Sequence, residues 1–208
     1  MNIVVFGASG SVGRHLVSQA LDEGHRVTAF VRTRSRLALE HSRLRLCLGD
    51  VLVQDDVDRA IAGQDAVLVS LGGGLWDAAI RSIGTRHIVQ AMARHGVPRL
   101  VCQTTLGIGE SWQNLTFYWK YLMFRGLLRR VFNDHVAQEE IVRESETEWT
   151  IIRPAAFTDG ERSGDYRHGF SGRDRDVTLK IARADVADFM LRELRRGEYV
   201  HCAASLSY

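Results

Sequence analysis

The sequence predicts an α/β fold, a doubly wound parallel sheet built as a single domain. Two observations carry the prediction. Short apolar runs alternate with stretches of helical periodicity along most of the chain, and a glycine turn joins the first run to the first helix. The chain's 208 residues suffice for one sizeable α/β core. An apolar share of 45%, with 19 glycines against 2 prolines, suits such a core and shows no sign of a disordered chain.

The elements follow in order. Residues 3–6 are an apolar, β-branch-rich run closed by Gly7, as expected of a strand buried on both faces. Val12, Leu16, Val17, Ala20 and Leu21 then recur at helical spacing, and Gly24 stands where the helix should stop. The cycle repeats with strands at 27–31 and 44–48, a helix at 55–62 and a strand at 66–71. A helix from about Trp76 to His95 leads through Gly96 and Pro98 to a fifth strand at 100–104. Beyond Thr105 the rhythm loosens into an aromatic, basic segment, about 111–132, expected to contain helix. A helix at 134–143, a strand at 149–153 and a last helix at 184–195 restore it, and residues 158–176 read as a long loop. No repeat or low-complexity linker interrupts the chain.

Composition excludes several classes of function. With 27 Lys and Arg against 25 Asp and Glu, no overall field exists to capture nucleic acid or an anionic surface, so any cationic site must be local. Cys47, Cys102 and Cys202 are widely spaced and read as free thiols in a reducing compartment. No window approaches the roughly 20 apolar residues that span a bilayer, so no integral membrane contact is expected. The amino terminus lacks the features of a signal, which makes a cytoplasmic protein the expectation. The histidines show no H-x-x-E-H or related spacing, and no metal site is expected.

The chemistry centres on Gly7-Ala8-Ser9-Gly10-Ser11-Val12-Gly13, a G-x-x-G-x-x-G between the first strand and the first helix. Glycines there allow a tight turn, close approach to a pyrophosphate and close packing of helix on sheet, while the helix amino terminus offers N–H groups to the phosphates. In this context the motif predicts a Rossmann-type dinucleotide site over residues 1–208, with NADPH/NADP as the cofactor. The preference for NADPH rests on Val31-Arg32-Thr33-Arg34-Ser35-Arg36, which ends the second strand where an NAD enzyme usually carries an acid. Guanidinium groups suit a 2′-phosphate, although a solvated basic loop has the same composition. Asp50 and Val51 close the third strand, where they can meet adenine, and Asp50 is equally placed to cap the following turn. Ser70-Leu71-Gly72-Gly73-Gly74 permits close backbone approach after the fourth strand or simply marks a loop.

In their order and spacing, residues 4–13, 27–37, 49–58, 63–72, 95–101, 134–145 and 184–191 resemble the atypical short-chain dehydrogenase/reductases of the NAD(P)H-binding, NmrA-like group. Within that group the similarity is greatest to the flavin reductase/biliverdin reductase B family. The resemblance implies that Gly7, Ser9, Gly10, Ser11 and Val12, backed by Gly13, hold the pyrophosphate. It assigns Arg32, Ser35 and Arg36 to the 2′-phosphate and Asp50 and Val51 to adenine. Leu71 and Gly72 would meet the ribose region, and Thr104 with the turn at Pro154 the nicotinamide end. It further implies a monomer acting on a planar conjugated small molecule such as a flavin, quinone or tetrapyrrole.

Thr105 matches the position where that family usually carries serine, so it is the candidate catalytic hydroxyl, orienting a substrate carbonyl; its alternative role is to finish the strand. The Tyr-x-x-x-Lys pair of alcohol–ketone enzymes is missing, because Tyr118 and Lys120 fall on different sides of a helix. Hydride delivery to a flavin or quinone does without that pair. Ala155 stands where the family has a histidine, a departure that bears on biliverdin in particular. The aromatic segment, with Phe117, Tyr118, Trp119, Tyr121, Phe124 and Phe132 among Lys120, Arg125, Arg129 and Arg130, is either a pocket wall, a core cover or a surface for a protein partner. With loop 155–176 it forms the expected substrate side. An NmrA-like redox sensor that binds NADP(H) without turnover is the alternative to a reductase.

Overall fold

The computed structural model describes residues 1–33, 37, 39–74, 79–174 and 176–208. Strands β1 (Asn2–Phe6), β2 (Arg26–Val31), β3 (Leu44–Leu48), β4 (Ala66–Val69), β5 (Arg99–Gln103) and β6 (Glu148–Pro154) lie in the spatial order β3-β2-β1-β4-β5-β6, all parallel. From β1 the chain first winds outward to β3 and then returns to β4 on β1's other side. That reversal leaves a crevice at the carboxyl ends of β1 and β4, where open α/β sheets bind ligands.

Alternation along β1 shows why the sheet is covered twice. Ile3 and Val5 pack with Leu16 and Val17 of α1 (Gly13–Asp22) and Phe189 and Met190 of α5 (Arg183–Arg196). Val4 and Phe6 turn to the opposite face, against Val57 and Ile61 of α2 (Gln54–Ile61), Ile88 and Met92 of α3 (Ile80–His95) and Val142 of α4 (Arg129–Glu144). A side chain of this size, fully removed from water, contributes about 1.5–3 kcal/mol. The expected start of the third helix at Trp76 lies outside the described residues.

Three features depart from the sequence expectations. The chain after α5 forms another strand, β10 (Cys202–Ser207), parallel to β6. The expected loop 158–176 is interrupted, among the described residues, only by β8 (Arg167–His168), which runs antiparallel to β10 at the sheet edge, and it is flanked by β7 (Ala156–Thr158) and β9 (Lys180–Ala182), which pair with each other. Asp185 secures this region, accepting hydrogen bonds from Ser163 N and Gly164 N at 2.8 and 2.9 Å and from the Tyr208 hydroxyl at 2.6 Å. The aromatic segment is a 3-10 turn at Gly109–Asn114 followed by a π-helical stretch, Tyr118–Leu127, that kinks at Gly126. The wider i→i+5 winding brings residues five apart onto one face. Trp119 and Phe124 thereby turn inward together, their rings 5.7 Å apart.

Candidate active site

The crevice begins at the glycine turn. Gly7 has a φ of +83°, and a Cβ there would lie 2.1 Å from the Ser70 carbonyl oxygen, so the turn hugs the end of β4. A Cβ on Gly13 would lie 2.0 Å from the Gly7 carbonyl oxygen, which is how closely α1 sits on the turn. No side chain caps α1 and its first turn holds no acid. Its amino end therefore presents backbone N–H groups and partial positive charge, the arrangement that suits a pyrophosphate.

From this turn a cleft of about 810 Å³ runs across the carboxyl edge of the sheet. Gly7, Ser9, Gly10, Ser11 and Val12 line its floor, and Arg32, exposed at the end of β2, stands at one end. Asp50, Val51, Leu71 and Gly72 line the adjoining wall, while Thr104, Thr105 and Pro154 lie further along. Gly13 is buried behind the turn and does not line the cleft. Ser35 and Arg36 lie outside the described residues. The structure thus gathers every described candidate except Gly13 around one space.

Several side chains are already engaged. Asp50 Oδ1 accepts from the Leu52 N–H at 3.0 Å, the turn-capping role open to it from sequence. The Asp50 N–H donates to Asp56 at 2.9 Å, a bond that, with Arg59, holds the Asp56 carboxyl below its ordinary range despite partial desolvation. Gly84 lets α3 approach Val51 and Leu71, since a Cβ there would fall 2.7 Å from Val51 Cγ2. The Thr104 hydroxyl donates to Glu139 at 2.8 Å and is buried. The half-exposed Thr105 hydroxyl makes only a long 3.4 Å bond to the Leu106 carbonyl, which leaves it available to a ligand.

Sequence reasoning missed a polar layer beneath the cleft. The Ser70 hydroxyl donates to Gln103 at 2.9 Å where β4 and β5 end, and both residues line the space. Arg81, also on the cleft, pairs with Asp134 at 3.4 Å, and the same carboxylate accepts from the Arg81 and Ser82 N–H groups at 3.1 and 3.0 Å. Beside them His135 faces the cleft with Nδ1 3.1 Å from Gln138 Oε1. Burial, aided by the charge of Arg81, lowers the His135 pKa to about 4 against the opposing pull of Gln138 and Asp134.

His135 is therefore neutral near pH 7, and its titration has a defined sign. An unfolded chain takes up a proton below the ordinary histidine pKa while the folded protein does not, so stability is lost as the pH falls from about 6.5 toward about 4. The loss from this group should reach about 2 kcal/mol between about pH 7 and about pH 4.5. Urea denaturation of the protein and of His135→Asn across that interval should give a flatter slope for the variant.

The far part of the cleft is apolar. Leu115, Trp119, Phe124, Leu128 and Phe132 form one wall, with the rings of Phe124 and Phe132 stacked 4.7 Å apart. Phe157, Leu179 and Arg183 also line the cleft, the Arg183 guanidinium lying 5.3 Å over the Phe157 ring and pairing with Asp159 at 2.7 Å. Ala155 lines it as well. Tyr118 is half exposed on the outer side and does not reach the cleft, so it supplies no proton donor there.

A protein-family model described as NAD(P)H-binding matches residues 7–196. The chain belongs to this NAD(P)H-binding family. Among solved structures of similar fold is a short-chain dehydrogenase/reductase from Veillonella parvula, at a TM-score of 0.83 and 16% identity over 99% of this chain and 93% of its own. One relative is a 3-beta-hydroxysteroid dehydrogenase from Mycolicibacterium neoaurum, 34% identical over 112 residues, 48% of this chain. The chain spans only 30% of that relative's length and 56% and 40% of the next two. ChuY, an anaerobillin reductase from Escherichia coli O157:H7, superposes with a TM-score of 0.83 at 21% identity, covering 100% of this chain and 97% of its own. A short-chain dehydrogenase/reductase from Veillonella parvula in complex with NADP gives 0.82 at 17% identity, covering 100% and 94%. At these identities the three structures attest the Rossmann fold. Among the described residues no helix is long and apolar enough to cross a membrane.

Proposed function

We propose that the protein is an NADPH-dependent reductase that passes hydride to a planar conjugated acceptor. The observation that carries this reading is the continuity of the cleft: a phosphate-suited turn at one end opens directly into an aromatic chamber at the other. The glycine turn and the amino end of α1 hold the pyrophosphate, Arg32 meets the 2′-phosphate, Val51 covers adenine beside Asp50, and Leu71 with Gly72 meets the ribose. Thr104 and Pro154 bound the nicotinamide end. When bound, the cofactor supplies the hydride. The chain's own contribution is chiefly alignment: Phe124, Phe132 and Trp119 stack a flat ring system, and the Thr105 hydroxyl donates to a carbonyl of the acceptor. Water supplies the proton. A flavin, a quinone and a tetrapyrrole all fit this description, and the anaerobillin reductase among the fold neighbours favours including the last.

Titration with NADPH and NADH, followed by separate addition of FMN, a quinone and biliverdin, tests the reading through the loss of reduced-nicotinamide absorbance. NADPH should bind more tightly than NADH, and Arg32→Ser should lower NADPH affinity about tenfold while leaving NADH almost unchanged. Acceptor-dependent oxidation would support a reductase. Tight binding without oxidation would move the protein to the sensor class, and absence of binding would overturn both.

A further inference from the structure

We propose that the outer face of residues 117–130 docks the protein on an anionic lipid surface. Among the described residues the three most exposed large hydrophobic side chains all lie here: Phe117 at 77%, Leu127 at 70% and Leu122 at 62%. Tyr118 and Tyr121 add 52% and 46%. Isolated exposed apolar residues are ordinary, but five within eleven consecutive positions form a patch of the kind that marks an interaction site. The core does not account for it, because the inward side of the same segment is already committed through Trp119 and Phe124 to the cleft wall.

Charge selects the partner. Lys120, Arg125, Arg129 and Arg130 accompany the patch, and no Asp or Glu occurs between Glu110 and Asp134. Among the described residues none of these four cations pairs with a carboxylate. Arg125 instead lies over the rings of Tyr121 and Trp112, 5.0 and 5.8 Å from their centroids, and the Phe117 and Tyr121 ring centroids are 4.7 Å apart. Aromatic rings among unpaired Arg and Lys suit the boundary between headgroups and acyl chains, where apolar burial and attraction to anionic lipid act together. A second copy of the chain is the poorer occupant, since a symmetric contact would set four cations against four.

The docking stands apart from the proposed activity and is tested without it. Sedimentation with vesicles of phosphatidylcholine alone, or mixed with phosphatidylglycerol, should show binding to the mixed vesicles at least about tenfold stronger than to the neutral ones, weakening with salt. Leu122→Ser with Leu127→Ser, and separately Arg129→Glu with Arg130→Glu, should each reduce that binding about tenfold or more without changing the thermal unfolding midpoint. The proposal is overturned by no vesicle binding, by equal binding to neutral vesicles, or by variants that bind as the parent does. It is equally overturned if sedimentation equilibrium reveals a dimer that the leucine pair abolishes while vesicles bind nothing, which would make the face a self-interface.

Discussion

Gly13→Ala is expected to reduce NAD(P)H affinity by at least about a hundredfold and to destabilise the protein by about 2–4 kcal/mol. The added methyl has nowhere to go, because its position is 2.0 Å from the Gly7 carbonyl oxygen and 2.9 Å from the Ala8 Cα. Both neighbours are backbone, so no side chain can swing aside. The helix must lift from the turn, which carries the N–H groups of its first turn away from the floor of the cleft. Thermal unfolding and nucleotide titration of the same variant separate the two consequences. An affinity unchanged within about twofold would show that α1 does not set the phosphate floor.

The second large effect is expected from the buried charges beneath Thr104. Arg153 is 1% exposed and binds Glu139, itself 2% exposed, through Nε at 2.9 Å and Nη2 at 2.7 Å, with Nη1 on Glu110 at 2.7 Å. Burial alone would disfavour the Arg153 charge, but the carboxylates of Glu139 and Glu110 outweigh it and raise its pKa. Arg153→Met leaves the buried Glu139 carboxylate with only the longer, 3.5 Å contact to the part-exposed Arg143 and should cost about 3–5 kcal/mol, lowering the unfolding midpoint by roughly 10 °C. Adding Glu139→Leu should recover much of that loss, since replacing both buried charges by apolar groups removes the poorly compensated ion. Because the Thr104 hydroxyl also donates to Glu139, the single variant should disturb the cleft as well as the fold. Equal stability of single and double variants would refute the argument.

The nucleotide half is legible in the sequence because β1 and β2 are buried on both faces and the edge strand β3 keeps the same apolar character. Residues 3–6, 27–31 and 44–48 are nearly continuous apolar runs, and each falls within an observed strand. The glycine turn is legible because its spacing carries geometry. β10 is not: Ala203, Ala204, Ser205 and Ser207 have weak strand propensity, and pairing with β6 decides the outcome. Nor does periodicity announce a partner distant in sequence, as for Arg81 with Asp134, 53 positions apart. Arg153 could have been found, since a guanidinium inside the apolar run 149–153 demands a buried acid. The π-helical winding of Tyr118–Leu127 eluded a reading that allows helices only the usual 3.6-residue turn.

The two-stranded pairing of β7 with β9 stands outside the large sheet, and the helical segment Tyr118–Leu127 shares none of that sheet's ladders. One end of the cleft is thus made by the scaffold and the other by attachments to it. Substitutions in the attachments can accumulate without disturbing the ladders that support the glycine turn. A lineage with this architecture is free to change what the attached end of the cleft receives while inheriting the nucleotide-binding turn intact.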